Sequence, residues 1–243
     1  IDRDNGIIHT KLRSAMNAWK VDCSSNYYFD NVYEELKNSG QWYLDRQENC
    51  VYYLPFEYES ITNTQIIAAK HVHLLEVNGS RDAPIRNVHF AGLTFKHTEW
   101  RRTDRTEIFR WEIRELDPPA EIDVVTMADD KAADHQGAIS CEAALDFSWA
   151  RDCSLTNCTI ANTGNYALSF GIGCVGNRVD RCLLYDHGGG GIKIGTQNIA
   201  DHDAARFNII SDCEIKECAE VFHSAVGIWI GHSDHNQLVH NTI

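Results

Sequence analysis

The second half of the chain repeats a pattern that few folds satisfy. The segments SLTNCTI (154–160), RVDRCLL (178–184), IISDCEI (209–215) and QLVHNTI (237–243) align without gaps. Cys158, Cys182, Cys213 and Asn241 then fall in one column, 24, 31 and 28 residues apart. Ile160, Leu184, Ile215 and Ile243 form one apolar column, and Leu155, Val179, Ile210 and Leu238 another. Asn177, Asn208 and Asn236 line up two residues before the latter. Upstream of each segment runs a second short motif: AISC (138–141), ALSF (167–170), GIKI (191–194) and GIWI (227–230). Ile139, Leu168, Ile192 and Ile228 share one column here, and Cys141, Phe170, Ile194 and Ile230 the next. Apolar residues alternate with period two in each segment, the pattern of short strands with one face buried.

A period of roughly 24–30 residues with several strands per copy predicts a solenoid. The LxxLxL pattern of leucine-rich repeats is absent, as are the marks of propeller blades. The fold predicted is all-β: a right-handed parallel β-helix whose coils stack about 4.8 Å apart. Apolar columns would build its core, and the asparagines a ladder at a turn. The cysteine column then reads as stacked small apolar side chains. Stacked neighbours lie at a Cα distance a disulfide can span, although parallel neighbours aim their Cβ atoms the same way. An earlier copy, PIRNVHFAGLTFKH (84–97), places Leu93 opposite Cys158. Between it and the next coil, residues 101–136 read as an inserted loop holding Pro118-Pro119 and Asp129-Asp130-Lys131, of the kind that walls a groove. Residues 1–80 read as a small β-subdomain of antiparallel strands (IIHTKL, QWYLDRQENCVYYLPF, IIAAKHVHLLEV), with a hairpin turn at 45–49 and one short helical stretch at 33–38. The β-helix would then occupy 81–243.

Composition narrows the function. The 243 residues carry 22 Lys+Arg against 35 Asp+Glu, a net charge of −13, which argues against nucleic acid as a partner. No apolar run approaches the roughly 18–20 residues that span a bilayer. The nine cysteines include no CxxC pair and no zinc-like spacing with histidine. The sequence starts at Ile1 without a leader pattern and stops at Ile243 inside an expected strand, so it reads as a piece of a longer protein, truncated at its C-terminus. Oligomeric state is not legible.

The segment YYFDNVYEELKNSGQWYLDRQENCVYYLP (27–55) resembles the EN…ELDxPGEWYxDxxxxxLYYxP segment of a bacterial right-handed β-helix superfamily. NVHFAGLTFKHTEW (87–100), DHGGGGIKIG (186–195) and AVGIWIGHSDHNQLVHNTI (225–243) are similar to its successive coils. The superfamily includes glycoside hydrolase family 141, with α-L-fucosidase and xylanase activities. A departure stands at Gly40-Gln41-Trp42, where the family has Gly-Glu-Trp. The resemblance implies a secreted or periplasmic glycosidase acting on a polysaccharide or oligosaccharide, without cofactor or metal. It also implies a pair of carboxylates, one a general acid and the other a nucleophile or base.

Equivalent positions on adjacent coils are one rung apart, which suits such a pair. Four residues after the cysteine column stand Asn162, Asp186 and Glu217, making Asp186 and Glu217 candidate catalytic neighbours. Asp186 precedes the glycines at 188–191, which allow close approach of a ligand or simply fit a tight corner. Asp234, in His232-Ser233-Asp234-His235, is the third candidate. The outward positions of the GIWI-type strands run Ser140, Ser169, Lys193, Trp229. Trp229 beside Lys193 would suit a sugar face, and His187, His223 and His232 would bond sugar hydroxyls. His232 and His235 have a helical spacing in a segment that reads as a turn, so no metal site is expected. Two other functions fit the same fold. A polysaccharide lyase would need a Ca²⁺ site of several acids and a basic residue such as Lys193. A carbohydrate-binding or adhesive protein would show no converging carboxylates.

Overall fold

The computed structural model describes residues 31–60, 62–101, 108–113, 120–125, 136–197 and 203–243. The chain divides into a smaller unit within 18–68 and a larger one that includes 69–243. The IIHTKL segment, Pro118-Pro119 and Asp129-Asp130-Lys131 lie outside the described residues.

The larger unit is all-β, and the chain visits three parallel sheets in rotation. The first sheet holds His89–Ala91, Ser154–Thr156, Arg178–Asp180, Ile209–Ser211 and Gln237–Val239. The second holds Thr94–Lys96, Thr159–Thr163, Leu183–His187 and Glu214–Lys216. The third holds Leu75–Asn78, Ala143–Ser148, Tyr166–Phe170, Ile192–Ile194 and Ile228–Ile230. Each strand pairs with the equivalent strand of the circuits before and after it, so one residue type recurs at each rung. Leu155, Val179 and Ile210 of the first sheet, Ile160 and Leu184 of the second, and Leu145, Leu168 and Ile192 of the third are fully buried. Burying each such side chain is worth about 1.5–3 kcal/mol.

Buried corners have to satisfy their backbone N–H groups, and side-chain ladders do so. Asn208 Oδ1 accepts the Asn177 N–H at 3.0 Å, and Asn236 Oδ1 accepts the Asn208 N–H at 3.0 Å. The cysteine column plays the same part with sulfur. Cys182 Sγ accepts the Cys158 N–H and Cys213 Sγ the Cys182 N–H, each at 3.4 Å, before Asn241 Oδ1 takes over for Cys213 at 3.0 Å. All cysteines among the described residues are free thiols. Beside each ladder residue the chain bends through one left-handed residue: Asn157, Arg181, Asp212 and His240 have φ between 49° and 55°. Asn and Asp suit that conformation; Arg and His are held in it by the stack around them.

Three sequence expectations change. The segment AISC (138–141) is not a strand. The third-sheet partners of Leu168 and Phe170 are Leu145 and Phe147. Residues 137–142 instead run across the outside: the Tyr166 hydroxyl donates to Gly137 O at 2.6 Å, and Lys193 Nζ donates to the carbonyls of Cys141 and Ile139. Next, Leu75–Asn78 is not part of an antiparallel subdomain. It pairs in parallel with Ala143–Ser148, so the third sheet begins before residue 80. Finally, the insertion contains an antiparallel pair, Ile108–Ile113 with Ala120–Val125.

In the smaller unit, Trp42–Asp45 pairs antiparallel with Cys50–Tyr53 across the expected turn. Tyr33 packs edge-on against Tyr43 and Tyr52, each at 5.3 Å. The expected helical stretch is a single 3₁₀ turn, Tyr33–Glu35. Gln41 Oε1 accepts the N–H groups of Lys37 and Asn38 at 2.8 Å. A glutamate oxygen would serve equally, which accounts for the departure at Gly40-Gln41-Trp42.

Candidate active site on the outer face of the third sheet

With Ala143–Ser148 in place, the outward column of the third sheet reads Glu76, Asp146, Ser169, Lys193, Trp229 on consecutive rungs. Period-two alternation produces it: Leu145 and Phe147 point into the core, so Asp146 between them points out. The column places Asp146 where AISC had put Ser140.

Asp146 is mostly enclosed. Burial pushes its carboxyl above the ordinary value, against the opposing pull of Lys193, of a hydrogen bond from Ser169 and of His73; Glu76 on the neighbouring rung adds to the rise. A second enclosed acid shows the opposite. Asp180, on the first sheet, accepts from Ser211 Oγ and Arg178 Nη2, each at 2.7 Å, and its Oδ2 lies 2.7 Å from Arg181. These donors, led by Ser211, hold its carboxyl below the ordinary range. Asp180 is a fixed anion, whereas Asp146 is suited to carry a proton at higher pH.

More titratable groups gather at this face. His73 Nδ1 donates to Ala143 O at 2.8 Å, which leaves Nε2 facing Glu142 Oε2 at 3.6 Å. That oxygen is buried without a hydrogen-bond partner. Lys193 Nζ lies 5.3 Å from the centroid of the Tyr166 ring. Trp229 packs against the cluster formed by Ala138, Cys141, Ala143, Tyr166 and Phe222, so residues 137–143 cover part of the indole. Glu76, Asp146, Glu142 and His73 were not among the candidates read from sequence.

The sequence candidates separate into three places. Asp186 and Glu217 do occupy one column, adjoining the paired residues Tyr185 and Lys216, and both are left-handed, φ 59° and 51°. Asp186 is half-buried and accepts from Asn162 Nδ2; Glu217 is exposed. Asp234 stands elsewhere. The Asp186 column closes the second sheet, before the chain enters the third, and Asp234 follows the third-sheet strand Ile228–Ile230. The two sites flank opposite ends of that sheet's strands. Asp234 Oδ1 is hydrogen-bonded to His235 Nδ1 at 2.9 Å. The glycines at 188–191 are packed between circuits: a Cβ on Gly188 would collide with Gly164 O, and one on Gly190 with Val226 O. They serve a tight corner and do not open onto a ligand. His187 is fully buried, with Nδ1 at 2.7 Å from Thr163 Oγ1, so it touches no sugar. His223 and His232 are exposed. Among the described residues no group of three or more metal-ligating side chains comes together.

Neither a protein-family model nor a curated protein sequence matches the chain. Its structure is similar to that of a solved glycoside hydrolase, with a TM-score of 0.66 at 21 % identity. The match covers 86 % of this chain and 38 % of the other, so the chain spans well under half the length of that protein. This set of parallel β-sheets is a fold the chain shares with a glycoside hydrolase.

Proposed function

We propose that the chain is a glycosidase on a right-handed parallel β-helix of the family 141 type, with its active site on the outer face of the third sheet. One observation carries the reading: a desolvated carboxyl, Asp146, stands in register between a second acid, Glu76, and Ser169, with Lys193 and Trp229 on the next rungs. Asp146, which holds its proton to higher pH, is the general acid. Glu76, exposed on the adjacent rung, is the ionised partner. Adjacent rungs stand about 4.8 Å apart, near the roughly 5–5.5 Å carboxyl separation of retaining enzymes, so the anomeric configuration is retained. The uncovered part of Trp229 takes a sugar face, and the substrate is an oligosaccharide or polysaccharide outside the cell. The glycosidase reading draws on the fold shared with a glycoside hydrolase and on the resemblance of residues 27–55.

The test is hydrolysis of aryl glycosides and polysaccharides by the protein and four variants. Asp146→Asn and Glu76→Gln are each expected to lower kcat by about 10²–10⁴-fold, with NMR showing retention at the anomeric carbon. Asp186→Asn and Glu217→Gln are expected to keep near-full activity. The reverse pattern would move the site to the end of the second sheet. Unsaturated products absorbing in the ultraviolet would make the protein a lyase.

A further inference from the structure

A second outward column lies at the corner where the third sheet turns into the first. Its in-register residues are Arg86, Arg151, Val175, Arg206 and Asp234. The residues just before them, Ala150, Cys174 and Ala205, are fully buried, so the alternation turns this column outward. Arg86 and Arg151 therefore occupy adjacent rungs about 4.8 Å apart, an arrangement of like charges that opposes pairing. Arg151 Nε is buried and has no hydrogen-bond partner. A fourth guanidinium arrives from Arg81, 6.0 Å from the centroid of the Trp149 ring and ion-paired with Asp203. The Trp149 ring lies directly against Gly173, whose place a side chain could not share.

Two of the four guanidinium groups already meet an acid, Arg81 through Asp203 and Arg86 through Asp152 at 3.9 Å, and Asp234 is bonded to His235, so Arg151 and Arg206 are the arginines left for a ligand. In a chain of net charge −13, four arginines converge on one corner and one of them has a buried, unpaired N–H. A guanidinium is matched by a planar or tetrahedral oxyanion, which takes two of its N–H groups at once. Arg151 lies five residues along the chain from Asp146, at most about 18 Å away, within the reach of one oligosaccharide lying along that strand.

We infer that this corner binds an anionic substituent, a carboxylate or sulfate ester, on an oligosaccharide. The anionic half stands on the arginines alone; the saccharide half rests on the glycosidase reading. Calorimetric titration of the 243-residue chain with an oligogalacturonate, a sulfated oligosaccharide and a neutral xylo-oligosaccharide tests it, with polyphosphate as the non-sugar anion. At least one acidic sugar is expected to bind about tenfold tighter than the neutral one, weakening as salt is raised. Which acidic sugar binds tells carboxylate from sulfate. Arg151→Gln and Arg206→Gln are each expected to lose about tenfold on that sugar, the loss of one charge-assisted contact, and nothing on the neutral one. Arg206→Gln carries the test if Arg151→Gln fails to fold. Equal binding of acidic and neutral sugars, or unchanged affinity in the variants, overturns the inference. Polyphosphate binding as tightly as the acidic sugar overturns its saccharide half. Arginine-dependent sugar binding without hydrolysis of any glycan would sink the glycosidase reading and leave this one standing.

Discussion

His187 gives the sharpest test of how this structure is held together. The Thr163 hydroxyl donates to Asn165 O at 3.1 Å, so its oxygen is left to accept from His187 Nδ1–H at 2.7 Å. The imidazole is thereby fixed as the Nδ1–H tautomer, and Nε2 is a buried lone pair without a partner. Protonating Nε2 would create a charge in a dry corner with no acceptor in reach. Burial accordingly pulls the imidazole from 6.5 down to about 4. The unfolded chain takes up this proton near pH 6.5 and the folded chain does not until about pH 4. The stability contributed by the neutral ring is thus fully present above pH 6.5 and is lost as the pH falls toward 4. The whole effect is about 3 kcal/mol, of which about 2.5 kcal/mol is gone by about pH 4.5. Urea unfolding followed by tryptophan fluorescence, at about pH 7 and about pH 4.5, compares the protein with His187→Gln, which keeps a donor for Thr163. The protein is expected to lose about 2.5 kcal/mol more than the variant between the two conditions. Equal losses, or an NMR titration placing His187 near 6.5, would refute the reasoning.

Other expectations are more local. Asn208→Ala removes four hydrogen bonds, three of them buried: two donated to Asn236 Oδ1 and Cys174 O and two accepted from Asn177; at about 1 kcal/mol each it costs about 4 kcal/mol in urea unfolding, and amide exchange at Asn177 accelerates. Cys50 is exposed whereas Cys158, Cys182 and Cys213 are buried, so maleimide labels Cys50 first and the column only on unfolding; prompt labelling of Cys182 by mass spectrometry contradicts the ladder. The Lys193 ammonium draws the Asp146 carboxyl downward. Lys193→Met therefore moves the Asp146 limb of a pH–rate profile to higher pH, and a move to lower pH argues against Asp146 as the acid.

The inner columns were legible because each strand carries period-two alternation and each corner repeats an asparagine or a cysteine. The outward column through Asp146 was hidden by a coincidence of pattern. A-I-S-C and A-L-D-F both carry apolar residues at their second and fourth positions, and alternation alone does not separate a strap from a strand. Spacing does not separate them either: Phe170 lies eight residues before Arg178, Ile194 fifteen before Ile209 and Ile230 seven before Gln237, a range that admits both Phe147, seven before Ser154, and Cys141, thirteen before it. His187 was read as a sugar ligand for a different reason. Simple alternation from the buried Leu184 sends residue 187 outward, but the left-handed residue Asp186 adds a step and turns His187 inward. Thr163, one rung below and also buried, follows the left-handed Asn162 in the same way. Asp234 shares no strand end with Asp186, a separation set by the rotation among three sheets, which a linear alignment does not display.

The insertion has a consequence for the order of assembly. The third-sheet contact between Ser148 and Asn78 spans 70 residues, whereas Cys158 and Cys182 are 24 apart. Closing the longer loop costs about 1 kcal/mol more, and late-circuit rungs reward closure sooner. The later circuits are expected to zip up first and to offer a finished edge on which Leu75–Asn78 docks last. Glu76 would then meet Asp146 only in that final step, so on the proposed assignment a nascent or partly unfolded chain would carry the general acid without its partner. On that assignment hydrolysis would switch on only when Leu75–Asn78 arrives, and would report complete folding more strictly than any spectroscopic signal from the core.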